Sequence, residues 1–218
     1  MLTRDLISHS IPYLHRQDTA FHALQLMSDY HITHLPVVEE EKFLGIVSEE
    51  QLMQGNDSDP ISEMDVSDTS LAVQASEHFL KAIQVAVINK LSLVPVVEEG
   101  HLLGVVTYDD LLRNASDFMS LGQPGALIVL ELDDKNYSLA EISRIVETND
   151  AQITQLNTYT DSETGIMQIT IRVSKVEVSD IVATFQRYEY NIKYYFGEEL
   201  YENELRNNFD NLMNYLKI

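Results

Sequence analysis

The chain has 218 residues, 44% of them hydrophobic, enough to bury the core of one large or two small domains, so disorder is not the default. Its 35 acidic residues against 14 basic ones leave a formal charge of −21, a field that repels nucleic acid and an anionic membrane surface alike. Disulfides and thiolate zinc sites are excluded because there is no cysteine, and neither a secretory leader nor a run of about 18 apolar residues is visible, so the reading is an acidic, cytoplasmic protein.

Residues 20 to 30 predict a helix with Phe21, Leu24 and Met27 on a common face. Leu35-Pro-Val-Val then predicts a short buried strand, with proline near its start where a missing donor is tolerated. An acidic turn, a second strand from Phe43 to Val47 and a helix opening at Ser48 follow. A shift of 59 residues repeats the series without a gap. It sets His34-Leu-Pro-Val-Val-Glu-Glu on Leu93-Val-Pro-Val-Val-Glu-Glu and Leu44-Gly-Ile-Val-Ser on Leu103-Gly-Val-Val-Thr. The second helix, residues 79 to 89, places Leu80, Ile83 and Val87 on its face, and the last helix opens at Thr107. Neither copy has the surface to bury its own sheet, so the two, residues 1–58 and 59–115, are expected to close on each other about a pseudo-twofold axis. The clefts between them are the candidate ligand sites.

The order helix, hydrophobic-Pro-Val-Val, acidic turn, Leu-Gly-hydrophobic-Val-Ser/Thr, helix resembles the CBS (cystathionine-β-synthase) repeat, here as the tandem pair called a Bateman module. The resemblance implies a regulatory, non-catalytic module that holds an adenosine ligand in its cleft. In nucleotide-binding members the segment Gly-h-h-Ser/Thr-x-x-Asp carries the ribose contact, and Gly104, Thr107 and Asp110 match it. A carboxylate takes two vicinal hydroxyls as charge-assisted bonds, and helix N-terminal amides favour an anion. Val94 and Pro95, on the adjoining strand, complete the implied nucleotide-binding set. In the first copy Gln51 stands where the aspartate belongs, which leaves Ser48 a weaker candidate. His34 is the other weaker candidate, at a place where members often carry a basic residue. The implied ligand is AMP, ADP, ATP or another adenosine compound, with magnesium for a polyphosphate. Ser48 with Gln51, and Thr107 with Asp110, equally fit a helix capping box, and capping is compatible with binding. His31 and His34 lie at a helix end rather than inside a helix, so no metal site is expected there.

After Arg113 the small and polar residues Asn114 to Gly125 read as a break, with residues 116–125 as a linker. A β-run from Ala126 to Leu132 comes next, then a helix opened by Ser138-Leu-Ala-Glu141. Alternating strands at residues 153–160 and 167–173 flank the turn Asp161 to Gly165, ahead of a helix near residues 177–188 and a strand at 191–196. This β-α-β-β-α-β order is the ferredoxin-like plan. With Leu130-Glu-Leu-Asp-Asp-Lys-Asn-Tyr-Ser-Leu-Ala-Glu-Ile it resembles an ACT domain, over residues 126–196. Members that bind amino acids usually have glycine where Tyr137 stands, so the resemblance implies subunit pairing more than an amino-acid site. The pairing of domains resembles the accessory proteins of acetoin-utilisation operons, a likeness of order that does not carry a pathway. Residues 197–218 space Leu200, Leu205, Phe209, Leu212 and Leu216 as an amphipathic helix.

The chain is thus read as α/β (α+β): a CBS pair, a ferredoxin-like (ACT-like) domain and a C-terminal helix. It has no P-loop, dinucleotide fingerprint or Gly-x-Ser-x-Gly elbow, so it is not read as an enzyme. The functional expectation is a homodimeric sensor that passes binding of an adenosine ligand to a regulated protein. The alternative is a ligand-free dimerisation module.

Overall fold

The computed structural model describes residues 1–66, 68–133 and 137–197, and the chain divides into two units between Ala115 and Ser116. In the first unit Thr19 accepts the backbone N–H of His22 and so starts α1 (Ala20–Tyr30). The elements β1 (Leu14–His15), α1, β2 (His34–Glu39), β3 (Lys42–Ser48) and α2 (Glu49–Met53) form the first copy. The second copy consists of β4 (Val73–Gln74), α3 (Phe79–Asn89), β5 (Leu93–Glu98), β6 (His101–Thr107) and α4 (Tyr108–Phe118). The strands make one sheet in the order β1-β2-β3-β6-β5-β4.

The copies join where β3 meets β6 at Lys42 and His101. Phe43 N–H donates to Gly100 O (2.9 Å) and Leu102 N–H to Glu41 O (3.2 Å). These are equivalent bonds related by the 59-residue shift, so the pseudo-twofold axis passes between them. Each copy borrows its lid from elsewhere in the chain. Thr3 N–H donates to Glu77 O and Arg4 N–H to Ala75 O, and Ser8 bridges Val105, so residues 2–8 cover the second copy. Ile61 N–H donates to Asp18 O, and Ile61 and Val66 are buried in the core of the first copy. The packing units therefore cross the boundary expected at residues 58 and 59.

The helix faces differ from the expectation. It is Ala20, Ala23 and Met27 of α1, and Phe79, Ala82, Val85 and Ala86 of α3, that are buried, while Phe21, Leu80 and Val87 are exposed. A helix lying close on a sheet needs small residues at the contact, and alanine supplies them; periodicity finds an apolar stripe but does not say which side it turns to the sheet. The break expected after Arg113 is also later, because α4 continues to Phe118. Asn114 Nδ2 donates to Asp110 O (2.8 Å), a local bond that lets the polar residue stay in the helix.

The second unit contains β7 (Ala126–Asp133), α5 (Leu139–Glu147), β8 (Ile153–Thr160), β9 (Ile166–Val173), α6 (Ser179–Arg187) and β10 (Asn191–Phe196). Its antiparallel sheet has the order β10-β7-β9-β8. Alternate residues Ile128, Leu130, Ile169 and Ile171 meet Ile142, Ile145, Ile181 and Phe185 of the helices in one core. Ser138 caps α5 through Glu141 N–H (3.3 Å), but the Glu141 carboxylate turns away from the cap to accept the Tyr190 hydroxyl (2.9 Å). Burial and that carboxylate push the Tyr190 pKa up to about 12. The expected C-terminal helix lies, from residue 198 on, outside the described residues. Among the described residues no helix is long and apolar enough to cross a membrane.

Candidate functional site

The two strand-to-helix turns, β3 into α2 and β6 into α4, present the residues singled out from the sequence. Thr107 Oγ1 accepts the Asp110 N–H (3.1 Å) and donates to Asp110 Oδ2 (2.6 Å), so the cap forms. The remaining carboxylate oxygen, Oδ1, engages no group among the described residues, and Asp110 is only half-buried. At the first turn Gln51 Oε1 accepts both the Ser48 N–H (2.9 Å) and the Ser48 hydroxyl (3.0 Å), while its amide donates to Asp65 O (3.4 Å). The two turns are thus alike as caps and unlike as ligand groups. Gln51 is committed at both ends of its amide, whereas Asp110 keeps a free anionic acceptor at the start of an eleven-residue helix.

The other candidates are placed as follows. Val94 is fully buried in the core of the second copy and Pro95 is buried beside it, so neither offers its side chain to a ligand. Gly104 has a packing role: a Cβ there would lie 2.5 Å from Ile7 Cγ2 and 3.1 Å from Ser8 O, in the segment that covers this copy. Its counterpart Gly45 is tighter still, with Val66 O 1.6 Å from the position of a Cβ.

His34 lies on the seam between the copies. Its Nδ1 faces Thr33 Oγ1 (3.0 Å), Ser92 Oγ (3.1 Å) and the Ser92 backbone N–H (3.2 Å), and Thr33 N–H donates to Ser92 Oγ (3.0 Å). A backbone N–H only donates, so Nδ1 accepts and must be unprotonated. Burial lowers the His34 pKa from the ordinary histidine value, in keeping with a neutral ring. The counterpart Leu93 has no such group, so the seam is asymmetric, and nothing in the repeat alone indicates Ser92 as the partner. His31 is set apart from His34 as the left-handed cap of α1, and no cluster of three His, Asp or Glu groups among the described residues is placed to hold a metal.

Residues 4–55 and 63–117 each match the family model described as the CBS domain. A CBS domain pair/ACT domain protein from Thermotoga maritima superposes with a TM-score of 0.50 at 22% identity, covering 54% of this chain and 98% of that one. A candidate acetoin utilization protein from Vibrio cholerae is 25% identical, with a TM-score of 0.49, 56% of this chain and 95% of that one being covered. The inosine-5'-monophosphate dehydrogenase of Thermoplasma acidophilum is 31% identical over 91 residues, 41% of this chain, and the match spans only 19% of that enzyme's length. Other solved structures similar to this one hold AMP, in CBSX2, or ATP, in the cytosolic domain of the magnesium channel MgtE. With the matched repeats, their pseudo-twofold join and the paired strand-to-helix turns in place, the N-terminal half of this chain is a tandem pair of CBS domains.

Proposed function

We propose that the chain is a non-catalytic regulator whose CBS pair binds an adenosine-containing ligand beside Thr107 and Asp110 and passes that binding to a partner protein. The observation that carries this reading is the uncommitted Oδ1 of Asp110 at the N-terminus of α4, opposite a first copy whose Gln51 is used up by its cap. A ribose offers two vicinal hydroxyls, which suit one carboxylate oxygen free and one shared with Thr107. His34 and Ser48 flank the seam and the first turn as secondary contacts, and the backbone of Val94, Pro95 and Gly104 supplies the strand edges. Magnesium accompanies the ligand if it is a di- or triphosphate, because the −21 charge of the chain opposes an uncompensated polyphosphate.

The test is a thermal-shift panel of adenosine, AMP, ADP, ATP with and without magnesium, and S-adenosylmethionine. A compound at 100 times its dissociation constant stabilises the protein by about 2.7 kcal/mol. That shift should vanish in Asp110→Ala and persist in Gln51→Ala. If every adenosine compound leaves the melting curve unmoved, the sensor reading is wrong.

A second observation favours assembly. Phe21 (59% exposed), Val87 (60%), Ile88 (69%) and Leu112 (62%) leave apolar side chains on the outer surface of helices in both copies. Three of the four lie on α3 and α4 of the second copy, where the first copy has Ser28 and Asp29 as the counterparts of Val87 and Ile88, so the apolar patch is one-sided and suits an isologous pairing with the same patch of a second chain. The second unit, read as ACT-like from its strand and helix order, would add to the pairing through its exposed edge strands β8 and β10. Sedimentation should give twice the 24.9 kDa chain mass for the wild type and a shift toward the single chain for Val87→Asp. A wild type that sediments as a single chain at micromolar concentration removes the dimer.

A further inference from the structure

The second unit holds a cavity of about 400 Å³ between the C-terminal ends of α5 and α6, lined by Arg144, Thr148, Asn149, Thr184, Arg187 and Tyr188. Among the described residues its only ionised lining groups are the two guanidinium groups, in a chain of net charge −21. On the other side of Tyr188 a cavity of about 430 Å³ is lined, among the described residues, by the carboxylates of Glu131, Asp133, Glu141 and Glu189, of which Glu131 is paired with Lys193 at 2.9 Å.

An arginine at the end of a helix commonly serves the last carbonyls. At the end of α5 neutral side chains already do so: Thr148 Oγ1 donates to Arg144 O (2.8 Å) and Ile145 O (3.1 Å), and Asn149 Nδ2 to Ile145 O (2.7 Å). The guanidinium groups are instead held in place. Arg187 Nη2 donates to the oxygen of buried Thr184 (2.9 Å), and Arg144 lies over the ring of Tyr188, 5.5 Å from its centroid. Arg144 makes one further contact, to Glu141 Oε1 at 3.4 Å, a long and exposed ion pair. Asn149 and Thr184 tie the two helices together at 3.3 Å, and Lys175 Nζ donates to Asn149 O at 2.6 Å. Each guanidinium thus spends few of its five donors on the protein. The helix ends oppose an anion, with about half a negative charge each, but two full positive charges outweigh them.

We propose that this cavity is a binding site for a small oxyanion, one carrying phosphate or carboxylate oxygens that the forks of Arg144 and Arg187 grip together. Planar guanidinium forks match such oxygens two at a time, and the volume lies at the small end of the roughly 300–1,000 Å³ usual for ligand pockets. The site is separate from Asp110 and stands whether or not the CBS pair binds a nucleotide.

The test is an amide NMR titration of the full chain with sodium phosphate and with sodium malonate, at ionic strength held constant with chloride. Saturable shifts confined to residues 144–149 and 184–188 are expected with at least one of the two anions, and which one binds identifies the oxyanion as phosphoryl or dicarboxylate. Arg187→Gln should weaken the binding at least tenfold and Arg187→Lys less, since charge is kept and the fork is lost. Asp110→Ala should leave it unchanged. Absent shifts with both anions, or shifts that survive in the folded Arg144→Gln, Arg187→Gln double variant, overturn the proposal.

Discussion

Gly45→Ala is expected to destabilise the CBS pair at the top of, or beyond, the roughly 1–3 kcal/mol that an overpacked site usually costs. The new methyl would stand 1.6 Å from Val66 O, and that atom belongs to backbone. Val66 is buried in the core of the first copy, 4% exposed, so the segment cannot yield without opening that core. Gly104→Ala is the internal control. There the nearest atom is the Cγ2 of Ile7, at 2.5 Å, the end of a side chain that can turn. Its loss should be milder, about 1–2 kcal/mol. Urea midpoints of the two variants, compared at equal slope, measure the difference. Equal losses would mean that residues 60–66 do not press on β3 as described.

Lowering the pH from about 7.5 to 5.5 is expected to loosen the seam between the copies, through His34. Its folded pKa lies below the ordinary value of about 6.5, so the unfolded chain takes up the proton more readily. The sign follows: the stabilisation is complete above about 6.5 and is lost progressively as the pH falls from there toward the lowered folded pKa. The elements around the ring contribute His31, Glu49, Lys90, Tyr108 and Asp109 at their ends, and none of these bonds to it. Protonation would turn Nδ1 from acceptor to donor against the Ser92 N–H. His34→Asn, whose carbonyl oxygen can take the place of Nδ1, should keep the neutral-pH stability and flatten this part of the pH profile. His34→Leu, copying Leu93, should instead lose about 1–3 kcal/mol above pH about 6.5, because it strands the Ser92 N–H, and this deficit should shrink on acidification as the wild type loses the same bond. A His34→Asn profile as steep as that of the wild type would remove His34 as the cause.

Much of the first unit was legible because repetition supplies its own check. Two copies of a Pro-Val-Val strand and a Leu-Gly-h-Val-Ser/Thr strand, in phase, located β2, β3, β5 and β6 and both capped turns. What the repeat could not reveal was contact between segments distant in sequence. Gly104 stands in a ligand motif, and its missing side chain also makes room for Ile7 and Ser8, which only the path of residues 2–8 explains. Periodicity groups Phe21, Leu80 and Val87 on the apolar faces of their helices, but it is the alanines that form the helix-to-sheet contact. His34 was weighed against a phosphate and a metal, but its partner is Ser92, one register step from its own counterpart. In the second unit alternation located β8 and β9, and an apolar β-run located β7. That Arg144 and Arg187 line one cavity was hidden, since 43 positions separate them and only the packing of α5 against α6 brings them to it.

The crossed lids have a consequence for how this protein comes into being. Residues 2–8 find their seats against residues 75–105, and residues 60–66 find theirs beside residues 18 and 19. Loops of this length must close before their contacts give anything back, so folding should be slow compared with a helical bundle of equal size. On the ribosome residues 2–8 could not take their seats on the second copy until about residue 105 had emerged. Until then its early strands would wait with apolar edges bare, the circumstance in which a high negative charge keeps nascent chains apart.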